Sequence, residues 1–476
     1  VFPGTLALVS GYANFMTSVS NDVGAIAIFS VFLWGSIRLI KRGFSFLNFL
    51  WVLAFATLCY FMKSTVYVAL LLLPIVLLFG FLQGRWRRIA WIVLILGSLA
   101  GLIMVFSWGD AADWYRSTDQ SSPTRIATSK APLGDYAFYL ESSANVSPTW
   151  NKPLFQPVSS DIVKRLAGET VTLGAWMWAS EPVKTNMPLI NDGTQGFSRS
   201  VTLGTEPVFY ALRAKISKNA GRMWVSLPPK LDSIGKGISI YYDGLILAEG
   251  ERPVKRAPLV DDSGASAGEW GGQPFINLVR NASAEGGGLR IHPWLEKLAA
   301  KIFPSFSGPS FMLAYLLDWT GARWHYVLAG GRLFRTFWGQ FGWGQVPLLG
   351  HKPYRVILEF VIVGTLGFIL ALWRRRKHIP WAFAFLCGLA LVGIWGGAVM
   401  RGLSHLSVTW LWLPVARYGY PAIIPTLLIP SIGWLEILRN LGRKLGIPRW
   451  GQLGTYFGLL ITLDVWTLVS IIRFYS

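Results

Sequence analysis

A few polar residues of chemically useful types stand at the edges of long apolar segments. Asn21 and Asp22 precede one apolar run, Lys63 lies in the short connection between two others, and Arg417 with Tyr418 opens another. A carboxylate such as Asp22 can take a proton from a hydroxyl group or bind a divalent metal ion. A guanidinium such as that of Arg417 can hold a phosphate through two parallel hydrogen bonds. These residues are therefore the candidate catalytic and phosphate-binding groups.

Each candidate also has a simpler explanation. Asp22 is a good helix N-cap, because its carboxylate can accept hydrogen bonds from the first backbone N–H groups. Lys63 can extend its ammonium group from an apolar surface to water. Arg401 and His405 stand near Arg417 in the sequence.

Three further acidic residues fall within or at the ends of apolar runs: Glu359, Glu436 and Asp464. Charged groups at membrane depth are costly and so favour a functional role. Glu436 is expected near a cytoplasmic end, in contact with water.

The chain has no complete catalytic motif. Its histidines are scattered, and it lacks HExxH, GxxxxGK[ST], GxSxG and CxxCH. Metalloprotease, ATPase, serine hydrolase and c-type cytochrome functions therefore have no sequence support. The two cysteines, Cys59 and Cys387, lie in apolar runs, which excludes a disulfide framework and a four-cysteine zinc site. No metal ligand set can be named.

The composition indicates a membrane protein. Of 476 residues, 53% are hydrophobic and only 14% are charged, against about 25% charged in soluble proteins. A membrane helix needs about 20 mostly apolar residues. Eight segments are predicted to span: Val23–Leu39, Phe46–Met62, Thr65–Leu82, Ile89–Trp108, Val356–Trp373, Trp381–Met400, Tyr418–Leu435 and Gly454–Ile472.

Cations are concentrated in alternate connections. Clusters follow the first, third, fifth and seventh segments, such as Arg374–Lys377. The short opposite connections hold few cations: Lys63 between the second and third spans, and Arg401 with Arg417 between the sixth and seventh. The positive-inside rule places the cation-rich connections in the cytoplasm. Much of the net charge of +20 then reflects topology, and no nucleic-acid partner is expected.

This topology places residues 1–22 outside the membrane. A cytoplasmic start would then require a further span before Val1, so we expect the chain to continue upstream of its first residue.

The region between the fourth and fifth spans differs in composition and periodicity. It is rich in Ser, Thr, Gly, Pro and Asp, and alternation with a period of two replaces the helical pattern. Strands are predicted at Val171–Ser180, Ser198–Leu203, Val208–Ile216, Arg222–Leu227 and Gly237–Leu247, with turns at Asn191-Asp192-Gly193 and Asp243-Gly244. Many short strands with Gly-containing turns predict an antiparallel β-sandwich.

The predicted fold is thus a membrane all-α domain of about eight transmembrane helices with an inserted extracytoplasmic β-sandwich of the jelly-roll type. Its parts are residues 1–108 (outer N-terminal segment and helices one to four), 109–134 (linker), 135–290 (sandwich), 291–350 (a short helix and an interfacial amphipathic segment) and 351–476 (helices five to eight). The short helix is expected at Trp294–Phe303 and the interfacial segment at Phe311–Phe341.

Aromatic residues of the sandwich are candidates for carbohydrate binding, because a sugar ring packs its C–H face on an aromatic ring. The candidates are Trp176, Trp178, Trp224, Tyr241 and Tyr242. The alternative is that these rings form the sandwich core, where aromatic residues are common.

Two resemblances follow from longer stretches. ETVTLGAWMWAS, ISIYYDGLILAEG and FINLVRNASAE, the last like an opening strand, resemble the jelly-roll carbohydrate-binding modules of bacterial glycosidases. SVSNDVGAIAIF, FWGQFGWGQVPL and VARYGYPAIIPTLLI resemble, in the same order, stretches of multi-pass bacterial proteins related to GT-C glycosyltransferases.

The GT-C resemblance implies an enzyme of the bacterial cytoplasmic membrane with a polyprenyl-phosphate sugar as donor. Lys63, Arg417 and Tyr418 would hold the lipid phosphate, Asp22 with Asn21 would serve the acceptor hydroxyl or a divalent metal ion, and the sandwich would hold the acceptor glycan. The acidic first outer loop typical of GT-C enzymes is absent from this chain.

That absence favours a second hypothesis. The chain would be a non-catalytic scaffold or accessory subunit that keeps the GT-C-like fold and has membrane lipids and other membrane subunits as partners. Both hypotheses remain open at the sequence level.

Overall fold

The computed structural model describes residues 2–9, 12, 16, 21–116, 124–141, 154–227, 238–302, 308–341, 345–350, 352–403 and 413–476. Within these ranges the chain forms two compact units. A helical unit comprises residues 1–98, 328–402 and 413–476, and a β-rich unit comprises residues 99–327 and 403–412.

The helical unit is built from apolar helices, most of them of membrane-spanning length. In chain order they are α1 (Phe2–Ala7), α2 (Asn21–Arg42), α3 (Phe46–Met62), α4 (Val68–Phe81), α5 (Arg87–Val105), α10 (Lys352–Arg375), α11 (Trp381–Met400), α12 (Ile423–Leu445) and α13 (Arg449–Tyr475). Among the described residues seven helices are long and apolar enough to cross a membrane, counting the 3₁₀ turns that lead into α4 and α12. The eighth predicted span, α3, is apolar but has 17 residues.

The outer surface of this unit is apolar. On α5 only Ala90 is buried, while Leu96 and Ile103 are 60% and 79% exposed. Large apolar side chains exposed in this way are what a lipid-facing helix presents.

The interior of the unit forms where small residues let helices approach. Gly364 on α10 faces Pro430 of α12, and Gly433 on α12 lies against the Gly364 backbone, so a side chain at Gly433 would collide with α10. Close glycine-mediated crossings are typical of membrane helix pairs. A second core joins α2, α3, α4 and α11 around Phe29, Phe79 and Leu386.

The other unit contains the strands. They are β1 (Phe106–Ala111), β2 (Tyr115–Arg116), β3 (Arg125–Ala127), β4 (Tyr136–Glu141), β5 (Leu154–Pro157), β6 (Thr170–Ala179), β7 (Val183–Asn186), β8 (Leu189–Asn191), β9 (Gly196–Phe197), β10 (Ser200–Leu203), β11 (Val208–Lys215), β12 (Trp224–Leu227), β13 (Ser239–Glu249), β14 (Leu259–Val260), β15 (Ala267–Glu269), β16 (Pro274–Ile276) and β17 (Gly287–Ile291). The short strands β18 (Gln340–Phe341) and β19 (Val346–Pro347) pair with each other in the helical unit.

Two five-stranded antiparallel sheets dominate the β-rich unit. Their orders are β11-β6-β13-β4-β3 and β2-β5-β12-β8-β9, and side chains from both sheets share one hydrophobic core. On β6 the predicted core face is present, since Val171, Leu173, Ala175 and Met177 are all fully buried, but most of the opposite face is buried too. The antiparallel two-sheet architecture therefore agrees with the sequence prediction.

Several boundaries differ from the predictions. The fourth helix ends at Val105 instead of Trp108, and the predicted linker 109–134 contributes β2, β3 and half of β1. FINLVRNASAE does not open the sandwich, because β16 covers only its first two residues and lies near the end of the unit. Polar composition suggested a linker, but β1 and β3 have partially exposed residues that a sheet edge tolerates.

Asp243-Gly244 is not a hairpin turn. Both residues lie inside β13, where the register with β6 shifts between Asp243 and Ile246 and Gly244 has φ +52°. Only a residue without a side chain adopts this backbone easily, so the turn-like dipeptide marks a β-bulge. By contrast, Asn191-Asp192-Gly193 does connect two strands, β8 and β9.

Helices of the β-rich unit begin with α6 (Ser160–Leu166) and continue with α7 (Pro293–Ile302), α8 (Pro309–Leu317) and α9 (Trp319–Trp338), whose last turns belong to the helical unit. α7 agrees with the predicted short helix over its described residues. The predicted interfacial segment 311–341 is divided at Asp318, which ends α8 and accepts a hydrogen bond from Gly321 N in α9.

Candidate functional site

Four distant parts of the helical unit meet at one end of the bundle. Asp22 lies in the first turn of α2, Lys63 follows the last residue of α3, Arg401 follows α11, and Arg417 with Tyr418 forms a 3₁₀ turn that precedes α12. These five residues are called the Tyr418 cluster below.

The Tyr418 ring is the centre of the cluster. The side-chain carbons of the guanidinium groups lie 4.3 Å (Arg401) and 4.9 Å (Arg417) from the ring centroid, and the Lys63 ammonium lies 5.6 Å from it. All three distances are within the range of cation–π attraction. Arg417 also donates a hydrogen bond to the Tyr418 hydroxyl at 2.8 Å.

Two polar contacts fix the rest of the cluster. Lys63 Nζ donates to the Asp22 carboxylate, and Arg401 Nη2 donates to Ser64 Oγ at 2.6 Å. Asp22 and Tyr418 are almost completely buried, 5% and 6% exposed. The ion pair is therefore protected from much of the screening that weakens surface pairs.

Among the described residues, three cations and one carboxylate meet in the cluster. Burial, followed by repulsion from Arg417 and Arg401, lowers the pKa of Lys63 to about 8. Burial also lowers the pKa of Arg401. Three cations grouped in this way attract anions.

The structure thus brings together Asp22, Lys63, Arg417 and Tyr418, which the sequence singled out. Asn21 is adjacent and exposed. Arg401 was noticed in the sequence only as a neighbour of Arg417. Its position in a connection with few cations could have identified Arg401 as a phosphate-binding candidate.

The remaining charged candidates lie elsewhere. Glu436 is 6% exposed and pairs with Arg375 at 2.5 Å and Arg374 at 3.6 Å. The expectation that it contacts water is therefore wrong, because packing of α10 against α12 encloses it between helices. Glu359 is exposed and Asp464 half-buried, and His405 lies outside the described residues.

No metal centre is formed by protein ligands alone in the described part of the chain, where no group of three or more His, Cys, Asp or Glu side chains is close enough to hold an ion.

The aromatic candidates of the sandwich differ in exposure. Tyr242 is fully buried, and Trp178 and Trp224 are 2% and 3% exposed. Because stacking requires an open ring face, these three rings are packing residues in this structure, and the predicted platform role does not fit them. Trp176 is half-buried and packs edge-on against Phe209 at 4.7 Å.

A row of aromatic rings crosses three neighbouring strands of one sheet. Tyr139 on β4 is paired with Tyr241 on β13, and Tyr241 is paired with Trp178 on β6. Tyr241 stacks on Trp178 with ring centroids 5.3 Å apart, and Tyr139 lies 5.6 Å from Tyr241. Tyr139 and Tyr241 are only half-buried. Sequence reasoning missed Tyr139, although alternation in YAFYLE placed it on one face of a strand.

Two carboxylates of the sandwich are completely buried but shifted in opposite directions. Burial raises the pKa of Asp243 to about 7, although Leu133 N and Gly244 N donate to it. Burial alone would also raise the pKa of Asp192, but hydrogen bonds from Ser217, Thr194 and Gln195 outweigh it and hold the pKa well below its ordinary value. Both carboxylates stabilise loops and bulges of the fold.

Comparison with known proteins gives matches to solved structures alone. No protein-family model matches the chain, and no curated protein matches it.

Three of the solved structures contain carbohydrate-binding modules. A CBM4 structure is 16% identical and covers 28% of this chain and 96% of its own length, with a TM-score of 0.18. A structure of TmCBM61 in complex with β-1,4-galactotriose is 17% identical and covers 29% and 90%, with a TM-score of 0.20. The CBM22-1–GH10 modules of a Clostridium thermocellum xylanase, complexed with xylohexaose, are 13% identical and cover 33% and 30%, with a TM-score of 0.22.

Proposed function

We propose that this chain is an integral membrane protein of the GT-C type that transfers a sugar from a polyprenyl-phosphate donor on the extracytoplasmic face of a bacterial cytoplasmic membrane. The product would be a cell-envelope or exported glycan. The observation that supports the proposal best is the Tyr418 cluster, which gathers three cations and one carboxylate at one end of an apolar helix bundle.

The cations suit the phosphate of the donor. Arg401 and Arg417 can each offer a guanidinium fork, and Lys63 offers a compact charge. Because the cluster is largely buried, an arriving phosphate would be held in surroundings where charge-assisted hydrogen bonds are stronger than in water.

The carboxylate suits the acceptor. In the proposed step the acceptor hydroxyl oxygen forms a bond to the anomeric carbon of the sugar. The bond from that carbon to the phosphate oxygen breaks, and its electron pair leaves with the polyprenyl phosphate. Asp22 takes the hydroxyl proton once Lys63 has moved from the carboxylate to the phosphate. Alternatively, Asp22 would bind a divalent metal ion, and the donor phosphate would supply further ligands.

The sandwich would hold the acceptor glycan. The half-buried rings of Tyr139 and Tyr241 are the surfaces on which a sugar could stack. They replace Tyr242 and Trp224 as our candidates, and Trp178 would support Tyr241 from behind.

The contact between Lys63 and Asp22 also favours the second candidate function, a non-catalytic membrane subunit. A buried ion pair that fixes the start of α2 to the end of α3 needs no substrate to explain it. In that case the cluster would only hold α2 and α3 together, as a structural joint between them. Other membrane subunits would bind to the apolar surface of the helical unit.

Binding of the donor lipid tests the proposal. The full chain would be placed in lipid nanodiscs, and polyprenyl phosphate would be titrated in native mass spectrometry. Arg417→Gln should weaken binding at least about tenfold, because it removes a charge-assisted contact. Arg443→Gln, which changes an exposed arginine at the other end of α12, should bind as the wild type does. Equal affinity of all three proteins would reject the phosphate site.

A double-mutant cycle separates the two candidate functions. For a structural joint, Asp22→Asn and Lys63→Gln should each destabilise the helical unit, and the double variant should recover much of the loss. For a transferase, Asp22→Asn should abolish sugar transfer from a panel of polyprenyl-phosphate sugars even in variants that keep the wild-type melting temperature.

A further inference from the structure

An apolar groove of about 630 Å³ lies between four helices of the helical unit. α10 and α11 contribute Leu372 and Leu391, α5 contributes Trp91, and α12 contributes Leu428. Arg375, at the end of α10, is the one charged residue among the described side chains that line it.

The end of the groove at Arg375 is strongly cationic. Arg374, Arg375, Arg376 and Lys377 follow one another there, and all four are exposed. Glu436 is the carboxylate that contacts this run, through Arg374 and Arg375. Cations therefore outnumber the carboxylate at the open end of a groove whose walls are apolar.

We propose that this groove is a specific site for one anionic phospholipid. One acyl chain would lie between α10 and α11, and the phosphate headgroup would contact Arg375, Arg376 and Lys377. The inference rests on the membrane embedding in the proposed function but not on sugar transfer.

Charge and shape together select this ligand. A zwitterionic lipid offers the same acyl chains, but the positively charged part of its headgroup would lie near four cations and be repelled by them. Basic pockets between membrane helices characteristically bind anionic headgroups. The helix ends provide such a pocket here, with the apolar walls beginning directly below Arg375.

The site is separate from the Tyr418 cluster. The groove takes its α11 residues from Trp381 to Leu391, whereas Arg401 follows the other end of α11. A helix of 20 residues is about 30 Å long, so donor phosphate and groove lipid would occupy opposite ends of the bundle. The groove lipid would therefore be a different molecule from the sugar donor.

Glycines of α11 provide a matched test of the groove. Gly388 lines the groove, and a Cβ built there meets no atom within 4 Å. Gly396 lies on the same helix with equally open space but outside the groove lining. Gly388→Leu should fill the groove, and Gly396→Leu should make the same chemical change without filling it.

The measurement is lipid retention by the purified full chain. Delipidated protein in mild detergent would be mixed with phosphatidylglycerol or phosphatidylcholine of identical acyl chains, and bound lipid would be counted by native mass spectrometry. We expect wild-type protein and Gly396→Leu to retain one phosphatidylglycerol at least about fivefold more tightly than phosphatidylcholine. Gly388→Leu should lose this binding.

The headgroup contact has its own variant. Arg376→Gln with Lys377→Gln leaves both arginine contacts of Glu436 in place and should reduce the preference for phosphatidylglycerol to near unity. This double variant also keeps the proposal testable if Gly388→Leu does not give a monodisperse protein.

Three results would overturn the inference. They are equal retention of the two lipids by wild-type protein, equal retention by Gly388→Leu and Gly396→Leu, and an unchanged preference in the double cation variant. None of them bears on polyprenyl-phosphate binding at Arg417, whereas release of the wild-type chain from membranes without detergent would reject the membrane embedding itself.

Discussion

In the β-rich unit Arg280 contacts two carboxylates, whereas in the helical unit Asp22 lies in a cluster with three cations. Arg280 donates to both oxygens of Asp318, at 2.6 and 2.9 Å, and contacts Asp113 at 3.2 Å. Tyr115 and the backbone of Gly321 donate to the same Asp318 carboxylate. In the Asp318 network the chain itself supplies several donors to one carboxylate, whereas the described residues of the Tyr418 cluster bring three cations to one carboxylate and one aromatic ring.

This difference makes the Tyr418 cluster a better candidate for ligand binding than the Asp318 network. The Asp318 network, with one arginine and two carboxylates, joins β2 to the start of α9 and has a structural role. A group of cations in a largely buried place is instead a favourable position for an anion. We therefore expect variants of the two sites to differ in kind: loss of stability in the sandwich and loss of anion binding in the helical unit.

The largest expected effect is in the sandwich. Asp318→Ala should reduce the free energy of unfolding of that unit by about 3–5 kcal/mol, because it leaves Arg280 without its main partner in a mostly buried place. Hydrogen exchange of peptides that cover β2 and β5, measured in the full chain, would report the loss. Glu249→Gln removes the exposed partner of Arg165 and should cost less than about 1 kcal/mol. Equal losses in the two variants would contradict the distinction between buried and exposed pairs.

A second effect concerns the pH dependence of the sandwich. The raised pKa of Asp243, about 7 in the fold against about 3.9 when unfolded, means that the folded state holds the proton more tightly. The contribution of this group to the stability of β13 is therefore greatest at low pH and falls as pH rises from about 4 to about 7.

Comparing the hydrogen-exchange protection of the wild type with that of Asp243→Asn isolates the pH-dependent contribution of the Asp243 carboxyl group. Protection of the wild type relative to the variant should decline over that pH range. Asp192 is the internal contrast, since its lowered pKa gives a contribution that is present above about pH 4 and lost in acid. A difference that rises from pH 4 to pH 7 would show that the sign for Asp243 is wrong.

The smallest expected effect is the pH dependence of phosphate binding at the Tyr418 cluster, which tests the role of Lys63. Because the pKa of Lys63 is lowered to about 8, the ammonium group loses its proton as pH rises through that value. Affinity for polyprenyl phosphate should then fall by about fivefold between pH 7 and pH 9, as expected for the loss of one of three cations. Lys63→Arg keeps its charge and should show a flat profile. A wild-type profile that is equally flat would remove Lys63 from the phosphate site.

Prediction from sequence succeeded where the signal is local. Apolar runs gave the approximate positions of α2 to α5 and α10 to α13, although α12 continues to Leu445, beyond the predicted Leu435. Alternation gave β6, β11 and β13 to within two residues. Prediction was wrong where a local pattern has two tertiary solutions. The Asp243-Gly244 dipeptide forms a bulge as readily as a turn, and an acidic residue near a helix end, Glu436, is solvated or enclosed depending on the next helix.

Sequence alone determined the two kinds of unit and most of their elements, because hydropathy and periodicity act over a few residues and decide which surface each helix or strand must bury. Only the tertiary structure decided which side chains meet. Arg401 reaches Ser64 across 337 positions, and Arg280 reaches Asp318 across 38. Contacts of this kind depend on how helices and sheets pack, which the pattern along one segment does not contain.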